Sequence, residues 1–188
     1  MDNPLSYLNY SKFMQEAIIA ALNTKAFPNP KVAAVLTDNK GNIKATGVHH
    51  GPGTNHAEID LLNKTIIDKD DILYVTLEPC FHADSSPSCA VELLNTSLQN
   101  IVIGDIDVDP RTNGKSIDLF KSKGLNIQFE YNANNIINPH YLNQKTNENS
   151  NTIIGKIASS QNNYIYNDQT EDKYISNDIS LALTHILR

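Results

Sequence analysis

The chain has 188 residues, of which 40% are hydrophobic and 19% charged, and its formal net charge at pH 7 is −6. This composition is that of one globular domain, and it disfavours nucleic acid as a partner, because phosphates are bound largely through lysine and arginine. No apolar run approaches the ~20 residues of a membrane-spanning helix, and residues 1–4 lack the basic and apolar regions of a signal peptide. We therefore expect a cytoplasmic protein that binds neither nucleic acid nor a membrane.

Hydrophobic periodicity predicts helices and strands that alternate along the chain. In chain order the predicted elements are a helix over 5–24, strands over 32–36 and 43–49, a helix over 56–64, a strand over 72–77, a helix over 88–98, a strand over 101–103, a helix over 116–123 and a strand over 125–129. The first two strands flank a turn-forming stretch and predict a hairpin. Thr54 or Asn55 could cap the second helix. This order indicates a layered α/β domain with a mixed five-stranded sheet.

The residues that carry chemistry are concentrated between positions 56 and 89. His56 precedes Glu58 by two positions, and the two cysteines of the chain, Cys80 and Cys89, follow them. One histidine and two cysteines are a catalytic zinc set, because three protein ligands leave a fourth position for water. The metal activates that water for attack on a carbon bearing an amino group, and Glu58 carries the protons. This pattern is the outline of a zinc-dependent deaminase.

Two other interpretations of the same residues are open. Cys80 and Cys89 could form a disulfide, although disulfides are rare in the reducing compartment expected for this chain. A zinc ion could also sit in a closed structural site that uses His82 as its fourth ligand. In that case Glu58 would have no role beside the metal.

The spacing within this stretch resembles one family in particular. His-x-Glu followed by Pro-Cys marks the cytidine deaminase-like superfamily, and the eight residues between Cys80 and Cys89 resemble the pyrimidine deaminase of riboflavin biosynthesis. Other stretches similar to that family lie at 28–32, 47–53, 107–110 and 114–115. The resemblance covers residues 6–130 and implies a three-layer α/β/α sandwich of the cytidine deaminase-like type.

The resemblance also implies a reaction and a substrate site. The reaction is hydrolytic loss of the 2-amino group of 2,5-diamino-6-(5-phosphoribosylamino)pyrimidin-4(3H)-one, which yields the 5-amino-uracil product. Asn29 and His49 match positions that line the substrate pocket, and Asp107 and Asp109 match the segment at the phosphoribosyl end. Asn29 could equally be a plain turn residue, and His49 a strand-end histidine without a ligand. The family further implies a homo-oligomer, either a dimer or a tetramer.

The last part of the chain is similar to the beginning of a second domain. In the resembled family the deaminase is usually fused to a reductase that uses NADPH, and residues 155–160, 174–176 and 185–188 resemble segments of that reductase. We therefore predict a deaminase domain over 1–146 and a truncated reductase remnant over 147–188, either poorly ordered or packed on the deaminase. No reductase activity is expected, because ~150 residues of a dinucleotide-binding domain would be missing.

Departures from the family pattern concern the phosphate end of the substrate. Residues 84–88 contain one acid and no base, whereas the family commonly has a basic residue between the cysteines. Asp109 replaces the usual asparagine, so Arg111 or Lys115 would have to supply the positive charge. The sequence thus leaves three hypotheses: the riboflavin-pathway deaminase, a deaminase of another amino-pyrimidine or nucleoside, and a zinc-binding partner protein without activity.

Overall fold

The computed structural model describes residues 10–83, 87–139 and 141. In chain order the elements are α1 (Lys12–Leu22), β1 (Ala33–Thr37), β2 (Ile43–Val48), α2 (Ala57–Leu62), β3 (Ile72–Val75), α3 (Cys89–Leu94), β4 (Asn100–Ile103), α4 (Lys115–Ser122), β5 (Asn126–Phe129) and α5 (Ala133–Ile137). They belong to one compact unit, Leu5–Ser150. The reductase remnant predicted over 147–188 lies outside the described residues.

The five strands form one mixed sheet in the order β2-β1-β3-β4-β5. β1 pairs antiparallel with both β2 and β3, whereas β3, β4 and β5 run parallel. The antiparallel pair β1 and β2 is the predicted hairpin, and its turn is closed by Asp38, whose carboxylate accepts hydrogen bonds from the backbone of Lys40 and Asn42 at 2.9 and 2.8 Å. The parallel pairs follow from α3 and α4, since each helix crosses between two successive strands. The mixed five-stranded sheet predicted from the sequence is confirmed.

Helices cover both faces of this sheet. Successive strand residues point to opposite faces, and Leu73 and Val75 of β3 lie in a buried cluster with residues of α2, α3 and α4. Tyr74 lies between them and points the other way, where its ring centroid is 5.2 Å from that of Phe13 on α1. α1 therefore covers one face and α2, α3 and α4 cover the other. The result is the predicted α/β/α sandwich.

Two predicted helices extend beyond the observed ones. α1 begins at Lys12 and not near residue 5, because Ser11 is its N-cap and accepts a hydrogen bond from Met14 N at 3.2 Å. α3 ends at Leu94 and not near residue 98. After it, the Thr96 hydroxyl donates to Leu93 O at 2.6 Å and accepts from Leu98 N at 3.1 Å, which forms a turn.

The predicted capping of α2 by Thr54 or Asn55 is wrong. The N-cap is His56, and its ring makes no capping hydrogen bond. Thr54 instead donates its hydroxyl to Gly51 O at 2.7 Å, and the Asn55 carbonyl lies 2.9 Å from Nδ1 of His49. The helix therefore places the His56 ring at its N-terminus without using it as a cap, so the ring is available to bind a metal.

A helix that the sequence does not predict, α5, follows the last strand. Asparagine is a weak helix former, and three of the six residues from 133 to 138 are asparagine. The helix forms because Ala133 and Ile137 are buried with Asn134 and Asn138, all of them at most 6% exposed. This stretch, for which the sequence predicts no element, is therefore part of the fold.

Gly47 in β2 lies directly against α2. A Cβ atom at this position would lie 2.1 Å from the Ala57 carbonyl oxygen and 2.6 Å from Leu61 N. We expect Gly47→Ala to lower the free energy of unfolding by about 3 kcal/mol, since backbone atoms on both sides cannot move aside separately. Bound zinc should fall as well, because α2 carries His56 and Glu58 at its start. Urea denaturation and a metal assay measure the two effects.

Gly53→Ala is the control for this substitution. Gly53 has φ +78° and no atom within 4 Å of the added Cβ, so the left-handed backbone alone costs about 1–2 kcal/mol. A loss for Gly47→Ala no larger than the loss for Gly53→Ala would show that α2 tolerates the displacement.

Candidate metal centre

Three elements bring His56, Cys80 and Cys89 together. His56 is the N-cap of α2, Cys80 lies in the loop that follows β3, and Cys89 is the first residue of α3. Their ligand atoms all lie within 4.8 Å of one another, and His56 Nδ1 is 3.4 Å from Cys89 Sγ. Among the described residues, this is the group of histidine, cysteine and acidic side chains that could hold a metal ion.

The geometry fits a zinc ion. Bonds of ~2.0 Å to nitrogen and ~2.3 Å to sulfur at a tetrahedral angle place the two ligand atoms about 3.5 Å apart, close to the 3.4 Å between His56 Nδ1 and Cys89 Sγ. The Cys89 backbone N–H donates to Cys80 Sγ at 3.3 Å, as expected for a thiolate beside the first turn of a helix. Both cysteines are buried and unbridged, so the disulfide interpretation is wrong.

His82 is not part of the metal group. Its Nδ1 lies 3.1 Å from Thr112 Oγ1, and the same hydroxyl accepts a hydrogen bond from Phe81 N at 3.3 Å. The closed structural site, which requires His82 as its fourth ligand, is therefore not formed by the described residues.

The two cysteines differ in their tendency to ionise. A hydrogen bond from the Cys89 side chain, and then one from His56, lowers the pKa of the Cys80 thiol to about 4. The same bond to Cys80, together with burial, raises the pKa of Cys89. Cys80 is thus a ready thiolate ligand, and metal binding releases the proton of Cys89, as is usual for thiol ligands.

Glu58 lies beside these ligands in the first turn of α2. Its side chain is 3% exposed. Burial, and then the negative charge of Cys80, raises the pKa of its carboxyl group to about 7. A carboxyl group with a pKa near the working pH takes up and releases protons readily. The burial and the pKa of Glu58 suit a proton carrier, and that role stays a prediction.

Asn29 and His49 form a hydrogen-bonded pair close to the ligands. Nδ1 of His49 lies 2.9 Å from the Asn55 carbonyl and therefore carries the ring proton, so Nε2 accepts from Asn29 Nδ2 at 3.0 Å. Burial lowers the pKa of His49, which favours this neutral ring. The His49 ring also stands edge-on to His56, with 5.2 Å between centroids. The fold thus brings both predicted pocket residues to the metal group.

Asp107 and Asp109, on the loop between β4 and α4, are both buried. The Tyr141 hydroxyl donates to Asp107 Oδ1 at 2.6 Å, and the Asp109 backbone N–H donates to the same oxygen at 2.9 Å. The Asp109 carboxylate is bound by the Arg111 guanidinium, with Nη2 at 2.8 Å from Oδ2 and Nε at 3.1 Å from Oδ1. The expected extra negative charge of Asp109 is therefore balanced by Arg111.

Glu78 is a buried residue that sequence reasoning missed. It is 2% exposed, and its carboxylate accepts from the backbone N–H groups of Asp107, Gly114 and Ser116 and from the Ser116 hydroxyl at 2.6–3.2 Å. Because Glu78 stands two positions before Cys80, it ties the metal-binding loop to the loop of Asp107. Its sequence signal was a charged residue at the end of a buried strand, which requires partners.

A family model for the zinc-binding region of cytidine and deoxycytidylate deaminases matches residues 8–105. That range is slightly more than half of the chain and contains the three candidate ligands and Glu58. The chain belongs to this family. The enzyme class predicted from the sequence, a zinc-dependent deaminase, is confirmed by this membership.

Two relatives indicate which deaminases of this family the chain is similar to in sequence. A diaminohydroxyphosphoribosylamino-pyrimidine deaminase of Buchnera aphidicola subsp. Schizaphis graminum is 35% identical over 102 residues, which are 54% of this chain and 69% of the relative. The riboflavin biosynthesis protein RibD of Aquifex aeolicus is 28% identical over an alignment of 189 positions, which covers 94% of this chain and 50% of the relative. The predicted resemblance to riboflavin-pathway deaminases is confirmed, and the chain spans half the length of the longer relative.

The fold is shared with a solved structure. A diaminohydroxyphosphoribosylaminopyrimidine deaminase/5-amino-6-(5-phosphoribosylamino)uracil reductase from Thermotoga maritima superposes with a TM-score of 0.70 at 24% identity, over 93% of this chain and 51% of that chain. The match confirms the cytidine deaminase-like fold. In the described ranges, no helix has the length and apolar character needed to cross a membrane.

Proposed function

We propose that this deaminase hydrolyses the 2-amino group of 2,5-diamino-6-(5-phosphoribosylamino)pyrimidin-4(3H)-one, with release of ammonia and the 5-amino-uracil product. The observation that carries the proposal is the group of His56, Cys80 and Cys89 beside a buried Glu58. The substrate class is supported by the relative that is 35% identical and is named a deaminase of a diaminohydroxyphosphoribosylamino-pyrimidine.

Glu58 is the residue that moves protons in this proposal. His56, Cys80 and Cys89 would hold zinc, which when bound supplies the Lewis acidity that activates water. Glu58 accepts a proton from the attacking water and delivers protons to the ring nitrogen and the departing amine, so that one water is consumed and one ammonia is released. Because Glu58 is 3% exposed, its carboxyl group is shielded from bulk solvent.

Asn29, His49 and the loop of Asp107 would orient the substrate. His49 fixes the Asn29 amide by accepting from its Nδ2, which leaves Oδ1 to accept from an N–H or amino group of the pyrimidine. Asp107 and Asp109 lie at the predicted phosphoribosyl end. Arg111 binds the Asp109 carboxylate, but its side chain is still 53% exposed, and it is the cation on this loop that would meet the phosphate.

Ammonia release from three compounds tests the proposal. These are the phosphoribosylamino substrate, its dephosphorylated analogue and cytidine. We expect turnover of the first with a kcat/KM at least about tenfold above the second, since a charged hydrogen bond to phosphate contributes that much or more. Turnover of the analogue or of cytidine alone would favour a different amino-pyrimidine or nucleoside. Metal-loaded protein without any turnover would favour the inactive partner protein.

Other predictions from the sequence remain part of this proposal. The homo-oligomer, the cytoplasmic location and the division into 1–146 and 147–188 stay predictions, and the described residues do not test them. Size-exclusion chromatography with light scattering would distinguish a monomer from a dimer or tetramer.

A further inference from the structure

Two buried asparagines of the unpredicted helix face the loop that carries Asn29. Asn138, the residue after α5, accepts a hydrogen bond from Lys31 N at 2.7 Å through Oδ1 and donates to Lys31 O at 2.8 Å through Nδ2. The side chain therefore pairs with one backbone residue as a neighbouring strand would. Lys31 stands two positions after Asn29, so this pairing fixes the backbone next to a predicted substrate contact.

The second asparagine, Asn134, connects this contact to the strand that leads to the metal ligands. Asn138 Nδ2 also donates to Asn134 Oδ1 at 2.6 Å, and Asn134 Nδ2 donates to Thr76 O at 2.9 Å. The Thr76 hydroxyl accepts from Ala33 N at 3.1 Å. The two amides thus form a chain of hydrogen bonds. Asn138 binds the loop that carries Asn29, and Asn134 binds Thr76, which follows β3 and stands four residues before Cys80.

Burying the side-chain amides of Asn134 and Asn138 costs free energy unless all of their polar groups are hydrogen-bonded. A buried amide loses its hydration, and only complete hydrogen bonding offsets that loss. An apolar side chain at Asn138 would suit a buried helix position, but it would leave the N–H and C=O of Lys31 without partners. Lys31 lies before β1 begins at Ala33, so no strand among the described residues supplies those partners. The amide of Asn138 takes the place of the missing strand.

The fixed backbone also determines where Asn29 and His49 meet. His49 N donates to Val32 O at 3.0 Å, and Asn29 Nδ2 lies 3.0 Å from His49 Nε2. The segment from 29 to 33 is therefore anchored at Lys31 by Asn138, at Val32 by His49 and at Ala33 by Thr76. Asn138 differs from the other two anchoring residues because it lies at the end of α5, which carries none of the candidate zinc ligands.

We propose that Asn138 is a positioning residue for substrate binding, because it holds the Lys31 backbone so that the Asn29 amide meets Nε2 of His49. Its link to substrate affinity rests on the proposed function, whereas the placement of Asn29 does not. The two parts can therefore be measured separately.

The ring nitrogen signals of His49 report the placement directly. In a two-bond ¹H–¹⁵N spectrum of the zinc-loaded protein, Asn29→Ala gives the position of the Nε2 signal when the hydrogen bond is lost. We expect Asn138→Ala to move the Nε2 signal toward that position. Asn135→Ala is the matched control, since Asn135 lies exposed on the same helix and bonds Asn132 Oδ1 at 3.2 Å. The control should keep the wild-type spectrum.

Kinetics on the proposed substrate test the second part. Asn138→Ala should raise KM about tenfold, the equivalent of one oriented hydrogen bond, while kcat changes less than twofold and zinc content is unchanged. A merely structural role would lower the thermal midpoint without moving KM. If the purified Asn138→Ala protein is unfolded, Asn138→Asp replaces it, because this variant keeps the side-chain volume and the acceptor for Lys31 N but lacks both donors.

The possible results separate the two proposals. A wild-type Nε2 signal in the folded Asn138 variant would overturn the positioning role, whatever the activity. A shifted signal with an unchanged KM would overturn its link to substrate binding. A shifted signal in the Asn138 variant, together with a wild-type protein that deaminates none of the test compounds, would refute the proposed function while supporting the placement of Asn29 by Asn138.

Discussion

Glu58→Gln is expected to lower kcat for deamination by about 10²- to 10⁴-fold, the usual contribution of general acid–base catalysis, with zinc still bound. Glutamine fills the same buried space in α2 but cannot accept a proton from water or return it to the leaving amine. The zinc ligands His56, Cys80 and Cys89 are unchanged, so the metal content should stay equal to that of the wild type. Ammonia release and metal analysis on the same preparations measure both quantities.

The stability of this variant separates chemistry from folding. Burial and the charge of Cys80 raise the pKa of Glu58 to about 7, so the ionised carboxylate is disfavoured in the folded protein. A neutral amide avoids that cost, and in metal-free protein the thermal midpoint of Glu58→Gln should equal or exceed that of the wild type above pH 7. Lost activity in a protein of undiminished stability can then be assigned to the missing proton carrier.

Glu92→Gln is the matched control for this substitution. Glu92 lies on α3, the helix that begins with Cys89, and the change alters the same atoms of a partly exposed side chain. Its activity should be close to that of the wild type. If Glu58→Gln retained more than about a tenth of the wild-type kcat, another group would have to carry the proton, since a loss that small is below the range of acid–base catalysis.

The features that the sequence predicts well are those that depend on neighbours along the chain. Alternating apolar runs place the five strands to within a few residues, because the burial of a strand is visible in its own sequence. The zinc set is equally local, since His56 and Cys89 each stand at the start of a helix and Cys80 follows a strand. Chemistry allows few uses for these residue types at such spacing.

The features that the sequence does not predict depend on contacts between distant residues. Asn138 binds Lys31 across 107 positions, and Glu78 binds Gly114 across 36. Asparagine favours turns over helices when it is judged by local propensity, so α5 is formed against its composition by the hydrogen bonds of its buried amides. Asp109 is a different case, because Arg111 stands only two positions away, but residue type does not show whether this cation faces the Asp109 carboxylate.

Loss of a zinc ligand is expected to reduce deamination at least as much as loss of the proton carrier Glu58. His56→Ala should reduce bound zinc from about one per chain to below about 0.1, because a catalytic site with three protein ligands cannot hold the metal with two. Deamination should fall to the background rate. Metal analysis after dialysis and an ammonia assay with added zinc measure the two effects.

His50→Ala is the matched control for His56→Ala. His50 is an exposed histidine next to His49, and removing its ring leaves the ligand group intact, so zinc and activity should both be retained. Treatment of the wild type with a chelator should reproduce the inactive state of His56→Ala, and added zinc should restore the wild type alone. If His56→Ala kept one zinc per chain after dialysis, the metal would be held by a different set of side chains.

The large loss of zinc expected for His56→Ala follows from the charges in the buried site. Cys80 and Cys89 as thiolates and Glu58 as a carboxylate would place three negative groups within a buried space, where the repulsion between them is weakly screened. In the metal-free site His56 donates a hydrogen bond that stabilises the Cys80 thiolate, and with zinc bound it would supply a neutral ligand. Without His56 the remaining ligands compete for protons more strongly, which weakens metal binding further. We therefore expect His56→Ala to lose more zinc than the removal of one bond alone would cause.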